Sequence, residues 1–71
     1  MKYDTKIMSE AQYNSEDLLD FLQTLDNSDV EVTDWEAKFI ASNLDAISFS
    51  PAQKARIMVM IQQYGKRIGW L

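Results

Sequence analysis

The sequence predicts an all-α protein, a compact three-helix unit with an N-terminal arm and a short C-terminal tail. Two observations carry this. Helix-start signals occur at three places, Asn14/Ser15 with Glu16 and Asp17, Thr33 with Glu36, and Ser50 with Pro51 and Gln53. Each is followed by apolar residues that recur at helical spacing. Seventy-one residues allow a single domain, and a chain this short buries only about 60% of the surface its unfolded form exposes. Small domains of this kind are held by regular helix packing, disulfides, metals or oligomerisation. The absence of Cys and His makes the two chemical staples hard to build.

Residues 1–13 are polar and lack periodicity, which predicts a flexible arm that orders on a partner. Within it, SEAQ at Ser9–Gln12 has the spacing of a capping box and allows a short first turn. The first helix is expected over about Ser15–Leu25. Asn14 or Ser15 caps its free amides, and Glu16 and Asp17 suit the positive end of its dipole. Leu18, Leu22 and Leu25, with Leu19 and Phe21 beside them, form its core stripe. Asp26–Val32, DNSDVEV, is a connection rich in turn formers.

Thr33 and Glu36 then have capping-box spacing, which starts a second helix expected over about Asp34–Asp45. Trp35 and Phe39 lie one turn apart, as do Ile40 and Leu44, giving it a broad apolar face. Ser50 caps the third helix, Pro51 takes its first position without needing an amide, and Gln53 completes the box. This helix is expected to run to Tyr64, where Gly65 can adopt the left-handed conformation that ends helices.

The third helix has more apolar residues than one face can use. At 100° per residue, Ile57, Ile61 and Tyr64 share a face, flanked by Met58 and Met60, while Val59 falls opposite them near Ala52 and Ala55. Either the helix is central and packs on both sides within the monomer, or Val59 and Met60 meet a second copy or another protein. The tail GKRIGWL raises the same choice. Trp70 either folds back into the core or joins Lys66 and Arg67 in a contact point of the kind that dominates interface energetics. The candidate partner-binding residues are therefore Val59, Met60, Lys66, Arg67 and Trp70.

Charge divides the chain. The net charge is −4, but residues 1–36 hold ten acids and two bases whereas residues 37–71 hold one acid and five bases. Such a dipole implies attraction between the halves or two surfaces suited to different partners. Lys54, Arg56, Lys66 and Arg67 are the residues a nucleic-acid binder would use, but seven bases against eleven acids disfavour it, because phosphate contacts supply most of such affinity. The acidic patch Asp26, Asp29 and Glu31 reads either as an imitation of a phosphate backbone or as a solvated face.

Other chemistries find little support. Without Cys or His, the thiol nucleophile and the commonest general base are missing. The paired carboxylates lack the chain length to build a substrate cleft around them. Beginning a calcium loop at Asp26 puts Glu31 where the tight-turn Gly belongs and Ala37 where a bidentate Glu belongs. There is no Gly-rich phosphate loop, and no cofactor is expected. The longest apolar run, Ile57–Ile61, is far below the ~20 residues of a membrane span. MKYDTKIMSE has no apolar run of signal-peptide type, so a cytoplasmic location is expected.

Residues 34–65, DWEAKFIASNLDAISFSPAQKARIMVMIQQYG, resemble a short helical hairpin with a W-E-x-x-F start and an S-x-x-Q second cap. This hairpin recurs in small phage and plasmid proteins and at the ends of replication and recombination proteins. The resemblance implies a setting in phage or mobile-element DNA metabolism and brings no catalytic residues with it. The expectation is a small non-enzymatic protein, monomeric or homodimeric, that binds another protein as a modulator or inhibitor of a nucleic-acid machine. The alternative is a nucleic-acid-binding accessory protein of replication or recombination.

Overall fold

Each of the three start signals closes into a reciprocal capping box. In a computed structural model, which describes residues 13–71, the helices are α1 Ser15–Asp26, α2 Asp34–Asn43 and α3 Pro51–Tyr64. Asn14 Oδ1 accepts from the Asp17 amide at 2.8 Å, and Asp17 Oδ2 accepts from the Asn14 amide at 3.2 Å. Thr33 and Glu36 exchange bonds of 3.1 and 2.9 Å at the start of α2. Ser50 and Gln53 do the same at 3.2 and 2.7 Å at the start of α3. These bonds satisfy amides that a helix start leaves without partners.

α1 is the hub. Leu18, Phe21, Leu22 and Leu25, at positions i, i+3, i+4 and i+7, are all buried, and α1 packs against both α2 and α3. Of the two alternatives for α3, a central helix packed on both sides is therefore corrected: Ile57, Met60, Ile61 and Tyr64 face inward, while Ala52, Ala55 and Val59 on the opposite side are exposed. α2 contributes Ile40, and Phe49 from the α2–α3 connection completes this side of the core.

α2 stops at Asn43, short of the expected Asp45. The buried Asn43 turns its amide back to the Phe39 carbonyl at 2.8 Å, and its own carbonyl accepts from the Ala46 amide at 3.1 Å. Its side-chain oxygen accepts from Gln53 Nε2 at 3.1 Å. The residue that ends α2 is thus tied to the capping box that begins α3.

α3 ends at Tyr64 as expected, but not by the expected device. Gly65 keeps right-handed helical geometry, φ −53° and ψ −45°, and the left-handed residue is Gly69 at φ +74°. The Gly69 amide reaches the Lys66 carbonyl at 3.2 Å and the Trp70 amide reaches the Gly65 carbonyl at 2.9 Å. That pair of bonds is the Schellman pattern, in which a left-handed glycine reverses the chain and satisfies the last carbonyls. Gly65 is needed for space instead. A Cβ there would lie 2.6 Å from the Ile61 carbonyl oxygen and 2.9 Å from Leu71 Cγ.

The reversal returns Trp70 and Leu71 to the core, where both are buried. Trp70 meets Phe21 edge-on at 5.2 Å and Tyr13 at 5.7 Å between ring centroids. Its indole nitrogen donates to Asp20 Oδ2 at 2.9 Å. Tyr13, the last residue of the expected arm, is thereby part of the core, while the rest of that arm and the Ser9–Gln12 capping box lie outside the described residues.

Candidate functional site

Among the described residues, three large apolar side chains remain on the surface: Ile47, Val59 and Trp35. Ile47 stands almost fully free in the α2–α3 connection, 95% exposed. Val59 is 42% exposed on the outer side of α3, and Trp35, at the second position of α2, is 53% exposed. Trp35 stacks on Phe39 one turn later, at 5.3 Å and 15°. The Arg56 guanidinium sits 4.6 Å from the Trp35 ring centroid, a cation–π arrangement that links α2 to α3.

This Trp35–Arg56 pair lies between two shallow depressions. One is lined by Trp35, Lys38, Phe39, Ser42, Asn43 and Gln53. The other, along α3, is lined by Ala52, Ala55, Arg56 and Val59. Together they form a two-helix surface with an aromatic ridge, a low shelf of small side chains, and polar groups at the margins.

The next residue after Trp35 ties the ridge to the core. Glu36 Oε1, already accepting from the Thr33 amide, also accepts from the Tyr64 hydroxyl at 2.7 Å. Burial acts to raise the Glu36 pKa, but the Thr33 amide, the Tyr64 and Thr33 hydroxyls and the Arg56 charge outweigh it and hold it below its ordinary value. The Tyr64 phenol is pushed up, first by that hydrogen bond, then by burial and the Glu36 charge, with Arg67 opposing.

The expected partner-binding residues separate. Val59 is on the surface, the alternative in which no neighbouring helix covers it, and Lys66 and Arg67 are exposed, with the Arg67 guanidinium 5.7 Å from the Tyr64 ring centroid. Met60 and Trp70 are corrected: at 0% and 2% exposure they are core residues that no partner can reach. Met60 lies 100° round the helix from Val59, which brings it within the inward arc of Ile57, Ile61 and Tyr64. Trp70 is taken inward by the Schellman reversal.

The candidate nucleic-acid residues do not form one cluster. Lys54 and Arg56 are near the start of α3 and Lys66 and Arg67 beyond its end, about 15 Å or more apart at 1.5 Å per residue. Asp26, Asp29 and Glu31 are exposed at the end of α1 and in the connection after it. Among the described residues no group of three or more acids is placed to hold a metal ion, and no helix is long and apolar enough to cross a membrane.

Trp35 is the main residue that sequence reasoning misplaced. Its spacing to Phe39 predicts a shared packed face, and the two do stack, but Phe39 is partly buried against the core while Trp35 stays on the surface. The signal was its angle to Ile40, which is 140° away around α2, whereas Lys38 and Ser42 share the Trp35 side. Comparison with known proteins returns no matching family, no significantly similar curated protein and no significantly similar solved structure.

Proposed function

We propose that this chain is a small non-enzymatic module that binds another protein through the Trp35–Arg56–Val59 face of α2 and α3. The observation that carries the reading is the half-exposed Trp35 held by Phe39 and Arg56 beside an apolar shelf. A large aromatic side chain kept on the surface by its own neighbours is already ordered, so little conformational entropy is lost when a partner covers it. Trp and Arg are also the side chains that most often dominate binding energy. The resemblance of residues 34–65 to hairpins of phage and plasmid proteins supports a partner from nucleic-acid metabolism and a modulating or inhibiting role in the cytoplasm.

The immobilised chain is expected to retain a discrete protein from bacterial lysate that the Trp35→Ala and Val59→Glu variants do not. The same proteins retained by all three would show that this face is not the binding surface. The alternative, a nucleic-acid accessory protein using Lys54, Arg56, Lys66 and Arg67, is less well supported. Its bases are dispersed, and Arg56 and Arg67 are engaged with rings of their own chain. It requires retention on DNA that falls steeply with salt.

A further inference from the structure

Resting on that reading, we infer that the occupant of the α2–α3 face is an amphipathic helix of another protein, with acidic residues flanking its apolar stripe. The shape of the face selects a helix. Ala52, Ala55 and Val59 follow one another at i, i+3 and i+7 on the solvent side of α3 and line one depression with Arg56. They span about 10 Å at 1.5 Å per residue, or two turns. Small side chains in such a row let a second helix approach to the short end of the 8–10 Å interaxial range. Trp35, standing beside Arg56, bounds the shelf and limits the angle at which a second helix can lie on it.

Charge selects the acidic flanks. The chain carries eleven acids and a net charge of −4, yet the charged side chains lining the two depressions are Lys38 and Arg56, both cations. α3, PAQKARIMVMIQQY, holds no acid at all, and its exposed outer side continues to Lys66. Of the acids in the first turn of α2, Asp34 is not among the lining side chains, and Glu36, whose charge Arg56 attracts, is held by the Tyr64 hydroxyl and the Thr33 amide. A cationic rim around an apolar shelf on an otherwise acidic protein favours a partner with carboxylates at the edge and apolar side chains in the middle.

The same charges count against the other occupants. In a two-fold dimer the same patch meets itself, so Lys38 and Arg56 would face Lys38 and Arg56 of the second copy. Pairing with Asp26, Asp29 and Glu31 of a second copy would be head-to-tail, giving a ring or a filament rather than a dimer, and Asp29 and Glu31 lie in a connection rather than on a helix. Nucleic acid would meet two cations beside an alanine and valine shelf, which offers little to a phosphate backbone.

The test is selection of a phage-displayed library of helical peptides on the immobilised wild-type chain, followed by titration of the recovered peptides while the fluorescence of exposed Trp35 is followed. Thermal melts check that every variant is folded, and sedimentation of the wild-type chain is run alongside. Acidic amphipathic helices should dominate the recovered sequences. Their binding should weaken at least tenfold in Val59→Glu and in Lys38→Glu, and Lys38→Glu should regain affinity for a peptide with flanking acids changed to Lys.

Recovered helices that are neutral or basic, yet lost in Val59→Glu, would overturn the acidic occupant and leave the binding face standing. A dimer abolished by Val59→Glu would assign the face to a second copy, and salt-sensitive DNA binding lost in Lys38→Glu would assign it to nucleic acid; either overturns the inference. A monomer that enriches no peptide above the level of Val59→Glu would overturn both the inference and the protein-binding reading beneath it.

Discussion

Gly65 and Gly69 show how two identical residues four positions apart answer different demands. Gly69 has the positive φ of +74° but open space where a Cβ would go, whereas a Cβ at Gly65 meets backbone and a buried side chain. Gly69→Ala is therefore expected to cost about 1–2 kcal/mol through its left-handed backbone, and Gly65→Ala about 1–3 kcal/mol through overpacking. Urea denaturation of both variants measures this, and the loss at Gly65 should persist when Leu71→Ala removes the penalty's side-chain part, since the Ile61 carbonyl remains.

The Glu36–Tyr64 hydrogen bond makes a second prediction at this scale. Because the folded-state pKa of Glu36 is held below its ordinary value of 4.5, its contribution is present above that pH and is lost as pH falls through the folded value. Tyr64 runs the other way. Its pKa is raised from 10.0, so its contribution is present below pH 10 and is lost as pH rises through the folded value. The urea midpoint of Glu36→Gln should fall less than that of the wild type on acidification below about pH 4.5, and an acid limb unchanged by the substitution would mean other carboxylates control it.

At the scale of the element, α3 has two sides with opposite tolerance. Val59 and Met60 are neighbours in sequence, but one lies on the solvent side and the other is fully buried. Val59→Glu is expected to change stability by no more than about 0.5 kcal/mol, as surface substitutions do. Met60→Glu places a carboxylate in the core and should leave the chain largely unfolded at neutral pH, since burying an unpaired charge costs several kcal/mol. Circular dichroism melts of the two variants separate these outcomes. The helix starts were legible because a capping box is local: its donors, acceptors and spacing all lie within four residues. The helix ends were less so. α2 stops where Asn43 finds Phe39 and Gln53, and α3 stops at Tyr64 where the spacing places it, but the chain reverses only at Gly69, four residues beyond the glycine expected to do so.

For the whole molecule, the consequence of that reversal is that the last residues are core. Trp70 and Leu71 are buried against α1 and the α3 end, with Phe21, Tyr13 and Asp20 as direct partners of Trp70. Removing residues 66–71 should cost more than the roughly 3–5 kcal/mol of a buried Trp→Ala change, in a domain whose core supplies little more than that. The truncated chain is expected to lose its cooperative thermal transition. A retained transition near the wild-type temperature would show that the tail is not integral to the fold.

The sequence alone determined the all-α class, the three helix starts, the inward stripe of α1 and the place of Val59 opposite the Ile57–Ile61 face of α3, because capping and helical periodicity are encoded within a turn or two of chain. The tertiary structure decided which apolar surplus was covered. It placed α1 rather than α3 at the hub, took Met60 and Trp70 into the core, and left Trp35 outside. Those outcomes depend on where a neighbouring helix lies relative to each side chain, and that direction is set by contacts between residues distant in sequence, such as Trp70 with Asp20 and Tyr64 with Glu36. The candidate binding face is the remainder of this packing: the sides of α2 and α3 that face neither α1 nor the returning tail.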